Sequence, residues 1–464
     1  MAIRRYRLEF ETAGPVHIGN GSQYGKKDYY AIGNDIVVLD TRKFVSLLDK
    51  QKIDLYCSFL ENNNAKLQDF LQKNPDMKKL AVQSVAYKVN SPLATARRGS
   101  IQYHDVWEFV KDPYGNPYVP GSSVKGMLRT AILLNMLLDD ESYRELYDAA
   151  IEQRPKNVKK PDAGIMKRAF FRERPTLEVA NDIMKYVSVS DSAPLSTSDL
   201  VFAKKYDKFS KYDTADHKHD MGKLTQYEGN ALDVYRESLR PGVKVSVGVS
   251  IDERIDGYLG GITLDAQGIT AVLQRAFDFY SECFLSHFEQ EEADAQASEA
   301  SDCQCQYVYA SGPFAGMRCR NHSFEGTGYC SLHQEHAGKQ PTSDGAVCYL
   351  GGGVDFVSKT VVSALFGTEK ERLQAISRIL YSQFPSKIDR TRRPALWNEI
   401  ERAGFQPKSF SARFKKDGRL DKAKDDHRHW RDEQLGVSPH TMKYGIVGKK
   451  KYPMGKCKVS VLEA

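Results

Sequence analysis

The sequence predicts an α+β protein of two ferredoxin-like lobes carrying helical insertions and a small Cys/His-rich insert. Three observations predict it. Strand-like and helix-like segments alternate over the first 152 residues. A Gly turn, a lysine and a helix start recur together, at Tyr118-Val119-Pro120-Gly121 with Lys125 and at Tyr349 to Gly353 with Lys359-Thr360. Composition breaks at residues 289 to 302, which hold six carboxylates and no cation. A chain of 464 residues exceeds one ordinary domain. The expected division is an N-terminal lobe over 1–160, a C-terminal lobe from 161–288 and 345–464, and an insert at 289–344.

Residues 3 to 11 alternate as a strand, and a Gly- and Pro-punctuated turn containing His17 follows to Gly21. Residues 28 to 39 read as a hairpin with Gly33-Asn34-Asp35 at its tip. Asp40 to Leu48 reads as a helix, and helical spacing continues over 52 to 73 around Asn62 to Asn64. Residues 80 to 88 read as a strand, Asn90 to Ser100 as a loop with Arg97 and Arg98, and Asp105 to Val110 as a strand ending in the tip Asp112 to Pro117. Past the apolar helix after Gly121, a second helix is expected over 141 to 152 and a Pro- and Lys-rich linker over 154 to 163. Lys185 to Ser190 and Val243 to Ile251 read as strands, Lys204 to Gln226 as a long loop or hairpin, and 268 to 288 as an amphipathic helix. Ser358 to Phe366 and Lys370 to Leu380 read as helices.

The stretch from Tyr118 to Leu138 carries the strongest local signal. Val124, Met127, Leu128, Ala131, Leu134 and Leu138 form a core stripe, with Asn135 at its edge. Gly121 permits a turn, and Ser122 or Ser123 is placed to cap the helix. Lys125 and Arg129, one turn apart beside the positive helix start, suit a phosphate; two solvated cations on a capped helix are the plain alternative. The stretch is not a P-loop, because Lys125 precedes Gly126 and Met127 follows it. The segment from Gly353 to Thr360 misses that pattern too, with Ser358 where the second Gly belongs.

Pro120-Gly121-Ser122-Ser123-Val124-Lys125-Gly126 with Arg129-Thr130-Ala131 resembles the signature of the RAMP proteins of type III CRISPR complexes. Four further pieces match in order: Pro15 to Gly21, Asp182 to Asp191, Leu350-Gly351-Gly352-Gly353 leading to Lys359-Thr360, and Pro453-Met454-Gly455-Lys456. More narrowly, the chain resembles the family of fifth Csm subunits, at the crRNA 3′ end of the type III-A complex. The resemblance implies the ferredoxin-like, RRM-like fold. It also implies a non-catalytic subunit that binds the crRNA 3′ region, caps the filament of Csm backbone subunits, meets target RNA in the assembled complex and supports crRNA 3′ trimming by host nucleases. Two rivals stand beside it: a metal-independent endoribonuclease cutting repeat RNA through His17, and an assembly protein that does not touch RNA.

Net charge is +7, but residues 401 to 464 hold 16 Lys/Arg against 8 Asp/Glu, so the other 400 residues carry 51 against 52. A basic end suits a polyanion. The residues expected at RNA are His17, Gly19, Arg97, Arg98, Gly121, Ser122, Ser123, Lys125, Arg129, Lys359, Lys449, Lys450, Lys451 and Lys456. Gly turns, helix starts and cations would take phosphates while aromatics stack bases. No apolar run approaches a membrane span, and the cytoplasm is the expected compartment.

Of eight cysteines, Cys303, Cys305, Cys319 and Cys330 lie within 28 residues. Cys305, Cys319, Cys330 and His333 make a candidate structural Zn2+ site, closed by the compact Cys330-x2-His333 pair. Cys303 is an alternative to Cys305, and His322 or His336 to His333. The pairs His217/His219 and His427/His429 read as solvated loop residues.

Overall fold

The first strand, β1 (Ile3–Thr12), lies in the middle of a five-stranded sheet and pairs on one side with a strand from mid-chain and on the other with the last strand. The computed structural model describes residues 2–32, 35–91, 103–145, 148, 162–171, 181–210, 229–288, 345–409 and 428–464. The strands after β1 are β2 (Gly19–Tyr24), β3 (Tyr29–Ile32), β4 (Asp35–Leu39), β5 (Val85–Asn90), β6 (Val106–Phe109), β7 (Val187–Val189), β8 (Leu200–Phe209) and β9 (Gly229–Leu239). They continue with β10 (Lys244–Asp252), β11 (Ala346–Tyr349), β12 (Lys387–Ile388), β13 (Lys408–Ser409), β14 (Thr441–Val447), β15 (Lys450–Pro453) and β16 (Lys456–Glu463). The helices are α1 (Thr41–Ser46), α2 (Lys50–Glu61), α3 (Leu67–Lys73), α4 (Pro75–Gln83), α5 (Gly121–Asp139), α6 (Asp162–Phe170), α7 (Ala266–Cys283), α8 (Glu369–Gln383), α9 (Pro394–Arg402) and α10 (Asp432–Leu435).

The five-stranded sheet runs β11-β16-β1-β10-β7, antiparallel throughout. Strict alternation makes it one-faced: Tyr6, Leu8 and Phe10 of β1, Val245, Val247 and Val249 of β10 and Cys457 and Val459 of β16 are buried. Helices α5 and α7 belong to the same core cluster. Asn135 is not at the edge of that core. It is buried, and its amide donates to Ala131 O at 2.8 Å and Val272 O at 3.0 Å, joining α5 to α7. Because α5 is sealed by this neighbour as well as by the sheet, Ile132, Leu133, Met136 and Leu137 are buried too.

A six-stranded sheet runs β15-β14-β8-β9-β6-β2, with only β6–β9 parallel. A third sheet, β3-β4-β5, packs with α1 to α4 around Tyr30, Val37, Phe44, Tyr56 and Phe70. Both larger sheets draw strands from either side of residue 160.

Three local expectations are corrected, and one with two readings is decided. Residues 80 to 83 end α4 rather than begin a strand, because Pro75 at the first helical turn starts a helix there. The described part of the polar stretch from Lys204, read as a long loop or hairpin, continues β8 to Phe209 and pairs antiparallel with β9, as a hairpin arm does, with β14 on its other side. Ser358 to Phe366 forms two short 3-10 turns, Val357–Lys359 and Val362–Leu365, rather than a helix. Thr360, Val361 and Val362 are stiff at χ1 and resist a regular helix. The echo between Lys125 and Lys359 therefore fails as local structure: Lys125 lies in α5, and Lys359 ends a 3-10 turn. Among the described residues no helix is long and apolar enough to cross a membrane.

Candidate nucleic-acid interface

Three glycine-bearing turns far apart in sequence meet at one place. The His17 carbonyl accepts from Gly352 N at 2.6 Å, the Pro15 carbonyl from Gly455 N at 2.8 Å, and the Gly455 carbonyl from Leu350 N at 2.8 Å. Ala13 N and Gly14 N both donate to Lys456 O, at 2.8 and 3.1 Å. Glycine is required where backbones touch. A Cβ on Gly351 (φ +83°) would stand 2.2 Å from His17 O, and one on Gly455 (φ +76°) 2.5 Å from Leu350 O.

His17 is inside this junction. It is 6% exposed, and its Nδ1 lies 2.7 Å from the Glu237 carbonyl. Burial pushes its pKa down to about 4; the hydrogen bond to Glu237 opposes the shift, and Arg236 and Lys111 add to it. Of the two readings of His17, shaping the turn or contacting RNA, its burial and its bond to Glu237 favour the turn. Gly19 is exposed at the start of β2.

A second junction explains the Pro120-Gly121 motif. Helix α5 starts at Gly121 with no side-chain cap from Ser122 or Ser123. Instead the Asp191 carboxylate accepts from Gly121 N at 2.8 Å, and Ser192 Oγ accepts from Val119 N at 2.9 Å. Gly121 has an ordinary φ and serves close approach: a Cβ there would lie 2.3 Å from Val189 O and 2.6 Å from Ser190 O. The anion that the helix start attracts is supplied by the protein itself. Arg129 pairs with Asp182 and lies 4.3 Å over the Phe170 ring, a structural engagement that Lys125 lacks. Lys125 makes no hydrogen bond or ion pair among the described residues. Partial burial lowers its pKa, against the pull of Asp182.

A cationic group was missed by reading motifs. Arg236 on β9 is half-buried against the Gly turn, its Nε 3.0 Å from where a Gly353 Cβ would stand. Lys205 on β8 and Lys443 on β14 share one carboxylate, Asp207, at 3.4 and 3.0 Å. Burial pushes the pKa of both Lys205 and Arg236 down, and Asp207 pulls each the other way. Three cations around one carboxylate leave a positive site beside the Gly351–Gly353 turn, of which Gly352 is exposed. The only sequence signal was cations alternating with tyrosines in segments with weak periodicity, which strand pairing turns into one face.

Lys449, Lys450 and Lys451 are exposed at the β14–β15 turn, and Lys451 lies 4.2 Å over the Tyr206 ring. Lys456 is 5.8 Å over Phe277. Lys359 turns its ammonium back to Tyr349 O at 3.3 Å, beside an apolar cleft with Met127, Leu134 and Phe277. Arg97, Arg98, Cys305, Cys319, Cys330, His333, His217, His219 and His427 lie outside the described residues. His429 is 7% exposed and not a solvated loop residue, because Asp432 draws it inward.

The sequence model of the RAMP superfamily matches residues 9–296. The chain is 26% identical over 268 residues to the CRISPR system Cms protein Csm5 of Mycobacterium tuberculosis (strain CDC 1551 / Oshkosh), covering 54% of this chain and 67% of that protein. It is 26% identical over 312 residues to the Csm5 protein of Streptococcus thermophilus, covering 63% and 75%. A chain in the cryo-EM structure of a Csm–crRNA–target RNA ternary complex of a type III-A CRISPR–Cas system aligns over 98% of this chain and 100% of its own length, with a TM-score of 0.54 and 15% identity. At that identity the likeness speaks to the fold.

Proposed function

Because the chain belongs to the RAMP superfamily, we propose that it is a non-catalytic RNA-binding subunit of a type III-A Csm effector complex. It binds the 3′ region of the crRNA, caps the row of backbone subunits, and supports 3′ maturation by host nucleases in the cytoplasm. Target RNA reaches it within the assembled complex. The likeness to Csm5 proteins of two organisms supports this place in the complex.

The observation that carries RNA binding is the meeting of the Pro15, Gly351 and Gly455 turns beside Arg236 and Lys205. Exposed Gly352 lets a phosphate–sugar chain approach the backbone, and half-buried cations attract phosphate more strongly than solvated ones. Exposed Lys449 to Lys451 extend the positive surface. Arg97, Arg98, Lys125 and Lys456 remain proposed contacts, and Cys305, Cys319, Cys330 and His333 a proposed structural zinc site.

His17 favours binding over repeat cleavage. A general base works best with a pKa near the operating pH, whereas burial pushes His17 down to about 4 and its Nδ1 is engaged by Glu237. The test incubates the purified protein with labelled CRISPR repeat RNA and follows photo-crosslinking and cleavage together. Crosslinking without cleavage is expected. Cleavage that disappears in a His17→Ala variant would overturn the proposal in favour of the nuclease. Absence of any crosslink would favour the assembly protein.

A further inference from the structure

His429, Asp432 and His440 surround a point that the RNA-binding reading does not use. His429 Nδ1 lies 3.0 Å from Asp432 Oδ2, and His440 Nδ1 lies 2.7 Å from Asp432 Oδ1. The Ser438 hydroxyl donates to Asp432 Oδ2 at 2.5 Å. One donor atom from each of His429, Asp432 and His440 falls within 4.8 Å of the others. The carboxylate is fully buried, and both histidine rings are largely so.

Charge makes the arrangement informative. A buried carboxylate requires a counter-charge. Among the described residues Asp432 has no lysine or arginine partner; its ion-pair contacts are His429 and His440 alone. Its two oxygens are met by imidazole nitrogens and the Ser438 hydroxyl. A divalent ion would reverse that charge and be held by two nitrogens and an oxygen.

We propose that His429, Asp432 and His440 form a structural binding site for a divalent transition metal of the zinc class, with Ser438 or water as fourth ligand. Mixed imidazole and carboxylate donors suit zinc and its neighbours, whereas Mg2+ and Ca2+ prefer all-oxygen shells. The spacing fits: His429 and Asp432 are three residues apart in one helical turn, and His440 enters from the far side of the Gly436 bend. Ligand atoms on a tetrahedral zinc with bonds of ~2.0–2.1 Å lie about 3.3 Å apart. The observed separations of 3.0 and 2.7 Å need only a few tenths of an ångström of opening.

The site has a structural consequence. His440 directly precedes β14, and its carbonyl accepts from Ser210 N at 3.2 Å, at the end of β8. Asp432 opens α10, which packs on α8 together with the turn that holds His429. A metal here fastens the entry of β14 to the helical cluster of Tyr381, Trp397 and Trp430. β14 in turn carries Lys443 and leads to the Gly455 turn.

The experiment must separate this site from the Cys305 cluster. The full chain carrying Cys305→Ser, Cys319→Ser and Cys330→Ser is purified without chelator, and its metal is measured by inductively coupled plasma mass spectrometry. About one equivalent per chain is expected, as for a closed structural site. The added change His440→Asn should remove it. Apo protein of this triple-serine background titrated with Co2+ should develop visible d–d bands without a thiolate charge-transfer band, and Zn2+ but not Mg2+ should raise its melting temperature. The Co2+ and Zn2+ titrations need no His440 variant, so they decide even if His440→Asn fails to fold. A metal-free background chain that gives no Co2+ bands and no Zn2+ stabilisation would overturn the proposal, leaving Asp432 as a carboxylate hydrogen-bonded by two histidines.

Discussion

The Asp191 carboxylate caps the backbone N–H of Gly121 at 2.8 Å across 70 residues of chain. The start of α5 is thereby tied to the end of β7. Asp191→Ala should destabilise the protein by about 1 kcal/mol, the usual cost of a lost N-cap. Gly121→Ala should cost more, since its methyl meets two carbonyls of the β7 segment. Urea unfolding of both variants measures the order; equal stability of wild type and Gly121→Ala would mean that this close approach relaxes freely.

Lys125 and Arg129 should separate by phenotype. Arg129→Ala removes the Asp182 pair and the contact with Phe170, so it should lower stability by about 1 kcal/mol and leave the salt dependence of RNA binding unchanged. Lys125→Ala should fold normally, because alanine favours helix. It should flatten log Kd against log salt by about 0.7, the loss of one single-strand phosphate contact. Salt titrations of both variants, with circular dichroism as folding control, check this. An unchanged slope for Lys125→Ala would place that lysine in solvent.

Arg236 and Lys205 should matter more to RNA than any cation expected at the start of α5. Arg236→Gln should weaken crRNA binding about tenfold without sequence preference, which corresponds to ~1.4 kcal/mol. Arg236→Lys should recover only part, since the planar fork at the Gly353 turn is lost. Fluorescence anisotropy with two unrelated RNAs is the measurement. Full affinity in Arg236→Gln would sink the turn junction as the RNA site.

Two buried groups should tilt stability in opposite directions with pH. Asp355 is fully buried and accepts from Lys443 N and the Tyr280 hydroxyl; burial pushes its pKa from 3.8 up to about 7. The folded state then binds the extra proton, so this contribution is full below about pH 4 and is lost as pH rises toward 7. His17 shifts from 6.5 down to about 4. Here the unfolded state binds the extra proton, so its contribution is present above about pH 6.5 and is lost as pH falls toward 4. Asp355→Asn should leave stability rising with pH across 4 to 6.5, and His17→Asn should leave it falling. Urea midpoints across that range test both slopes; identical profiles in wild type and Asp355→Asn would remove Asp355 as a titrating group.

Much was legible in the sequence because it depends on local pattern. Alternation in β1, the pairing of β3 with β4, the helical stripe of α5 and the amphipathic α7 follow from side-chain period and turn chemistry, which need no partner to be read. The order of glycine motifs carried the family resemblance. What each glycine is for was decided only in three dimensions. Gly121 is small because Val189 and Ser190 lie against it, and Gly351 because His17 does. The same holds for charge. Lys125 and Arg129 look alike in sequence, and only the approach of Asp182 and Phe170 separates them. Arg236, Lys205 and Lys443 become one site through strand register, and His429, Asp432 and His440 one cluster through a bend at Gly436. Electrostatic and steric interactions act over a few ångströms of space, and the sequence orders residues along the chain without stating which of them come within that distance.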